Sequence, residues 1–181
     1  LEEKGMALDL GGIAKGYAAD IAIEAIKAKG IKAALVAIAG DIKGFGSKPN
    51  QQPWKVGIQN PRPNPPAPSF EKGGRGGILK KVEGELSDDI FATLHLKDKA
   101  ISTSGDYQRF FMEKGKRYHH ILNPKTGYPA QGVISVSVIA PEGRVTDGFS
   151  TGVFVLGPDK GIKLLESMEL DGIIIDADKK I

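Results

Sequence analysis

The run Val133-Ile134-Ser135-Val136-Ser137-Val138-Ile139 alternates branched apolar residues with serine, a period of two that an extended strand satisfies and a helix does not. A strand forms only within a sheet, so other strands of the chain must pair with it. Candidate strands lie at Ala33–Ile38, Ile42–Phe45, Trp54–Ile58 and Gly172–Ile175. Two hairpins are expected: Phe91–Leu96 with Ala100–Thr103 across a Lys-Asp-Lys turn, and Tyr107–Met112 with Arg117–Leu122 across Glu113–Lys116. Leu8, Asp9 and Leu10 read as the end of a short strand.

Helical periods stand between these runs. Ile13, Tyr17, Ile21 and Ala25 recur every four residues and, with Ala14, Ala18 and Ile26, form an apolar stripe that Gly30 ends. Thr146–Leu156 and Lys160–Met168 are the other two helices. From Asn60 to Gly77 five prolines and four glycines imply a long surface loop, within which Lys72 and Arg75 are candidates for cradling phosphate. Helices interspersed with hairpins and strands that need not be parallel define an α+β class, with mixed or antiparallel sheets and packed helices. At 181 residues and 40% hydrophobic content, one core and one domain over 1–181 are expected.

Composition removes several chemistries. The chain has no cysteine, which excludes disulfides, thiolate metal ligands and thiol nucleophiles. A net charge of +3 and a pI near 9.0 suit an anionic ligand but lack the clustered basic charge of a nucleic-acid binder. No apolar run reaches the roughly eighteen residues of a membrane span.

Four stretches carry candidate chemistry. In Gly11-Gly12-Ile13-Ala14-Lys15-Gly16, two glycines lead into a helix whose first turn carries Lys15; this is an anion site by dipole and ammonium, and not a Walker A loop. Ser102-Thr103-Ser104-Gly105-Asp106 offers hydroxyls and a close backbone approach to a ligand, or a self-satisfied turn. Tyr118-His119-His120-Ile121-Leu122-Asn123-Pro124-Lys125-Thr126-Gly127-Tyr128-Pro129 holds two of the three histidines. On a strand they face opposite ways, so only one can enter a given site, either for proton transfer or to hydrogen-bond the turn. Asp147 and Thr151, four apart on a helix, stack a carboxylate and a hydroxyl on one face, as Mg2+ ligands or as part of a helix start.

Taken in order, Asp9-Leu10-Gly11-Gly12-Ile13-Ala14-Lys15-Gly16-Tyr17, Thr103-Ser104-Gly105-Asp106-Tyr107, the His119-His120 stretch through Pro129, and Thr146-Asp147-Gly148-Phe149-Ser150-Thr151 resemble the signatures of the ApbE family, the FAD:protein FMN transferases. The resemblance implies an ApbE-like, T-fold-like domain and a Mg2+-dependent enzyme that splits FAD at its pyrophosphate. FMN would pass to a Thr or Ser hydroxyl of an acceptor protein, such as a membrane redox-pump subunit, with release of AMP. Hydrolysis of FAD to FMN and AMP, or flavin-nucleotide binding without turnover, are the alternatives. By position, the family pattern implies metal ligation by the Gly12 carbonyl, Asp147 and Thr151, catalysis by His120, and flavin-nucleotide contacts from Lys15, Thr103, Ser104, Gly105 and Asp106. It also implies a bacterial envelope location, periplasmic or on the outer face of the cytoplasmic membrane. Family members carry a segment ahead of the Asp9-Leu10-Gly11 motif, so the chain is expected to be a C-terminal portion of the domain.

Overall fold

The computed structural model describes residues 3–61 and 90–181, so the expected Pro/Gly loop with Lys72 and Arg75 lies almost wholly outside the described residues. In chain order the elements are α1 (Ala14–Ala28), β1 (Ala34–Ile38), β2 (Asp41–Phe45), β3 (Trp54–Gln59), β4 (Ile90–Leu96), β5 (Ala100–Gly105), β6 (Phe110–Glu113), β7 (Lys116–His119), β8 (Val133–Ala140), α2 (Gly143–Leu156), α3 (Pro158–Ser167) and β9 (Asp171–Asp176). Five strands form one antiparallel sheet in the order β1-β2-β5-β8-β9, while β3 pairs with β4 and β6 with β7. The α+β class follows directly.

Strand β8 is buried along its whole length. The pleat sends its side chains to two cores, and a register shift between Val133 and Ser135 changes which residues face each. Ile134 and Ile139 join Val56, Ile58, Leu94 and Leu96 from the β3–β4 pair. Val133, Val136 and Val138 join Val153, Phe154 and Leu165 from the helices. The large sheet is therefore a middle layer, with the small sheet on one face and helices on the other.

Three sequence expectations are corrected. Phe91–Leu96 and Ala100–Thr103 are not a hairpin: β4 pairs with β3, and β5 pairs with β2 and β8 in the other sheet. Asp98, at a φ of 52°, turns the chain from one sheet to the next and accepts the Gly46 N–H. Residues 8–10 form no strand. The stripe on α1 faces outward, with Ile13, Tyr17 and Ile21 at 42%, 51% and 52% exposure, whereas Gly16, Ala19, Asp20 and Ile23 are the buried positions. The Ala33–Ile38 strand also forms, but β1 lies at a sheet edge and is only half-buried. The expected hairpin forms as β6–β7 but is shorter, ending at His119 so that His120 lies beyond the strand, with its turn made by Lys114 and Gly115 at positive φ.

Neither α1 nor α2 has a side-chain cap of its own, although helix starts leave backbone donors unpaired. Each is capped by the other. Asp20 of α1 accepts the Gly143 N–H at 2.7 Å and the Arg144 N–H at 3.0 Å, and Asp147 of α2 accepts the Gly16 N–H at 3.0 Å. Asp20 also pairs with Lys43 of β2. Burial alone pushes the Asp20 carboxyl up, but Lys43 and the two N–H donors outweigh it, and its pKa is lowered. A lowered folded pKa gives stability that is complete above the ordinary carboxylate value near 3.9 and is lost as pH falls through the folded value. Asp20→Ala should therefore cost about 3 kcal/mol at pH 7, and the gap from the parent should narrow as pH falls through the lowered folded pKa. Urea unfolding over that pH range measures this, and a gap independent of pH would contradict it.

Candidate active site

The exchange of caps brings the first turn of α1 against α2, and of the sequence-predicted residues Gly12, Lys15, Ser104, Asp147 and Thr151 gather there. Gly16 and Gly143 let the backbones meet: a Cβ at Gly16 would lie 2.0 Å from the Gly143 carbonyl oxygen. Lys15, one residue earlier, reaches Asp147 Oδ1 at 2.9 Å, the oxygen opposite the one held by the Gly16 N–H. Gly12 packs against Thr151, whose side chain would lie 3.8–3.9 Å from an added Cβ there, and a Cβ on Gly148 would lie 4.0 Å from the Gly12 carbonyl oxygen. Strand β5 contributes Ser104, whose hydroxyl is 3.0 Å from those of both Ser150 and Thr151.

Strand alternation sorts the rest of the 103–106 stretch. Thr103 faces away from the cluster, its hydroxyl bonded to Ser137 at 2.7 Å on the far face of the sheet. Gly105 lies under the Tyr107 ring, 2.4 Å from where a Cβ would be. Asp106 follows at the strand end, with its carboxylate 4.0 Å from Arg117 of β7. Of the four, Ser104 is the residue in direct contact with the Asp147–Thr151 turn of α2.

The paired histidines part company. His119 is buried, edge-on to Phe154 at 5.4 Å. Its Nε2 is 3.0 Å from the Ala130 carbonyl, which can only accept, and its Nδ1 accepts from the Ile121 N–H at 3.3 Å. Both nitrogens are occupied, and burial pulls the pKa down, so this imidazole is neutral. His120 is exposed. Its Nδ1 lies 3.3 Å from the Arg109 carbonyl, which can only accept, so Nδ1 donates and, in the neutral imidazole, Nε2 bears the lone pair. The contacts of His120 are with the base of the β6–β7 hairpin, not with the Lys15–Asp147 cluster.

One central residue was not anticipated as more than a turn. Ala39 and Gly40, at φ of 46° and 99°, close the β1–β2 turn and set Asp41 at the start of β2, 3% exposed. Its Oδ2 is 2.7 Å from Lys15 Nζ, an ion pair without an aligned hydrogen bond. Burial raises the Asp41 pKa, with the charge of Asp147 acting in the same sense and Lys15 against it. Burial lowers that of Lys15, but its two carboxylate partners prevail and the net shift is upward. The signal in the sequence was slight, an aspartate after a glycine between two strands.

The donor set fits a hard cation. Asp41 and Asp147 share one ammonium in a largely buried cluster, an arrangement in which a further cation would be favoured. No group of three or more His, Cys, Asp or Glu able to hold a metal occurs among the described residues. A metal here would need carbonyl and hydroxyl oxygens as well, which Gly12 and Thr151 supply next to Asp147, and such oxygen ligands suit Mg2+ rather than a softer ion.

The order and spacing of these residues match the ApbE family model over residues 1–174. The chain belongs to the ApbE family. Among curated relatives it is 34% identical to the FAD:protein FMN transferase of Treponema pallidum, over all of this chain and 47% of the relative. It is also 34% identical to that of Haemophilus influenzae, over 90% of this chain and 41% of the relative. Among solved structures, the ApbE protein of Thermotoga maritima superposes with a TM-score of 0.78 at 36% identity, covering 98% of this chain and 51% of its own. The ApbE chain described here thus spans about half the length of the curated relatives it matches, and that half contains the α1–α2 cluster and the histidine pair.

Proposed function

We propose that this ApbE chain carries the metal-binding and proton-accepting part of an enzyme that transfers FMN from FAD to a Thr or Ser hydroxyl of an acceptor protein, releasing AMP. The reading is supported by the names of its relatives and by one observation above the rest: Gly12, Lys15, Ser104, Asp147 and Thr151 meet where the start of α1 packs on α2, around two carboxylates that share one ammonium. Mg2+, held by the Gly12 carbonyl, Asp147 and Thr151, would neutralise charge on the FAD pyrophosphate, the main demand of phosphoryl transfer. The Lys15 ammonium and the N-terminal end of α1 would bind the phosphates. The acceptor oxygen bonds to the FMN phosphorus as the bond to the AMP oxygen breaks. The hydroxyl proton passes to His120 Nε2, the nitrogen left open by the Nδ1 contact with Arg109.

The test is incubation with FAD, Mg2+ and an acceptor peptide, following AMP by chromatography and peptide mass. AMP with an FMN-labelled peptide is expected. AMP with free FMN alone indicates hydrolysis, and FAD bound without AMP indicates a binding module. His120→Gly should slow labelling by about a hundredfold to ten-thousandfold while leaving FAD binding intact; an unchanged rate would remove His120 from the chemistry.

A further inference from the structure

Lys15 sits between two carboxylates, and the two are not equivalent. Asp147 Oδ2 is committed to the Gly16 N–H, so Oδ1 is the oxygen a cation would take, and Oδ1 is where Lys15 Nζ lies at 2.9 Å. Asp41 presents Oδ2 to the same ammonium at 2.7 Å. It is 3% exposed, fixed by a turn with two residues at positive φ, and Oδ2 has no aligned donor. A divalent ion on Asp147 and an ammonium on the same oxygen repel strongly in a site shielded from water. Lys15 has a flexible four-carbon stem and can give way only if another acceptor holds it.

We propose that Asp41 is a positioning residue that draws the Lys15 ammonium off Asp147, so that Asp147 is released to a divalent cation. The inference rests on the Mg2+ reading above and adds a residue to it. Asp41 acts through Lys15 and touches neither metal nor substrate. Without it, Lys15 has Asp147 as its one carboxylate and competes with the metal for it.

The experiment is calorimetric titration of the full chain with Mg2+ alone, so that no nucleotide can claim Lys15, on the parent, Asp41→Asn, Lys15→Met and the double variant. Asp41→Asn should weaken Mg2+ binding by about tenfold to a hundredfold. Lys15→Met should bind no more weakly than the parent, because the competitor is gone. In the Lys15→Met background, Asp41→Asn should cost less than about threefold, a non-additivity that a bulk charge or folding role does not produce. An equal loss in both backgrounds, or weaker binding by Lys15→Met, overturns the positioning role. Metal-free circular dichroism and melting establish that each variant folds, and if Asp41→Asn does not, Lys15→Met alone decides. A parent that binds no Mg2+ overturns the metal reading itself, an outcome distinct from a parent that binds and shows additive variants.

Discussion

Under the proposed Mg2+-assisted transfer, replacing Asp147 by asparagine is expected to lower FMN transfer on the order of a thousandfold and to abolish its response to Mg2+, with little change in fold. The amide carbonyl can still accept the Gly16 N–H, so the cap on α1 survives, and Lys15 retains Asp41. What is lost is the charge at Oδ1. Asp147→Ala removes the cap as well and should cost about 1 kcal/mol more of stability. The pair of variants separates metal binding from helix capping, because asparagine impairs one and alanine impairs both. Transfer assays with Mg2+ varied, alongside thermal unfolding, read the two effects. Full activity in Asp147→Asn would remove this residue from the metal site.

The second large effect is on folding. Gly16→Ala should destabilise the chain by about 3 kcal/mol, although alanine is the better helix former by about 1 kcal/mol. The added methyl would lie 2.0 Å from the Gly143 carbonyl oxygen and 2.8 Å from Asp147 Cβ. Its obstacle is backbone, which cannot swing aside as a flexible side chain does. The helices would have to separate, stretching the Asp20 and Asp147 caps together. Urea unfolding gives the stability, and a variant as stable as the parent would mean that α1 and α2 do not approach this closely.

Hydrophobic period located the three helices and most of the strands, because a turn of helix or a pleat of strand imposes its spacing locally. Which face of α1 is buried did not follow from it. The helix turns Gly16, Ala19 and Asp20 inward so that its backbone can reach α2, while the larger Ile13, Tyr17 and Ile21 remain outside. A close helix contact selects small residues, and small residues leave little trace in an apolar moment. The supposed 91–103 hairpin failed for a related reason: pairing is decided by which strands share a core, and β4 and β5 end in different sheets. Family motifs single out Asp147, Thr151 and Gly12, and the fold brings Gly12 against Thr151 on the same helix as Asp147. Asp20 and Asp41 act across long stretches of chain, with partners at Gly143 and Lys15, and a single acidic residue in a helix or turn looks like solvent-facing charge until its partner is located.

The exchange of caps also sets a schedule. Residues 12–16, 41, 104 and 147–151 come from four separate elements, and contacts of such sequence separation form late in folding. A nascent polypeptide halted before α2 would possess the glycine turn and the Lys15–Asp41 pair, yet neither Asp147 nor Thr151. The cluster therefore closes only once synthesis has passed α2, and a shorter copy holds half of it.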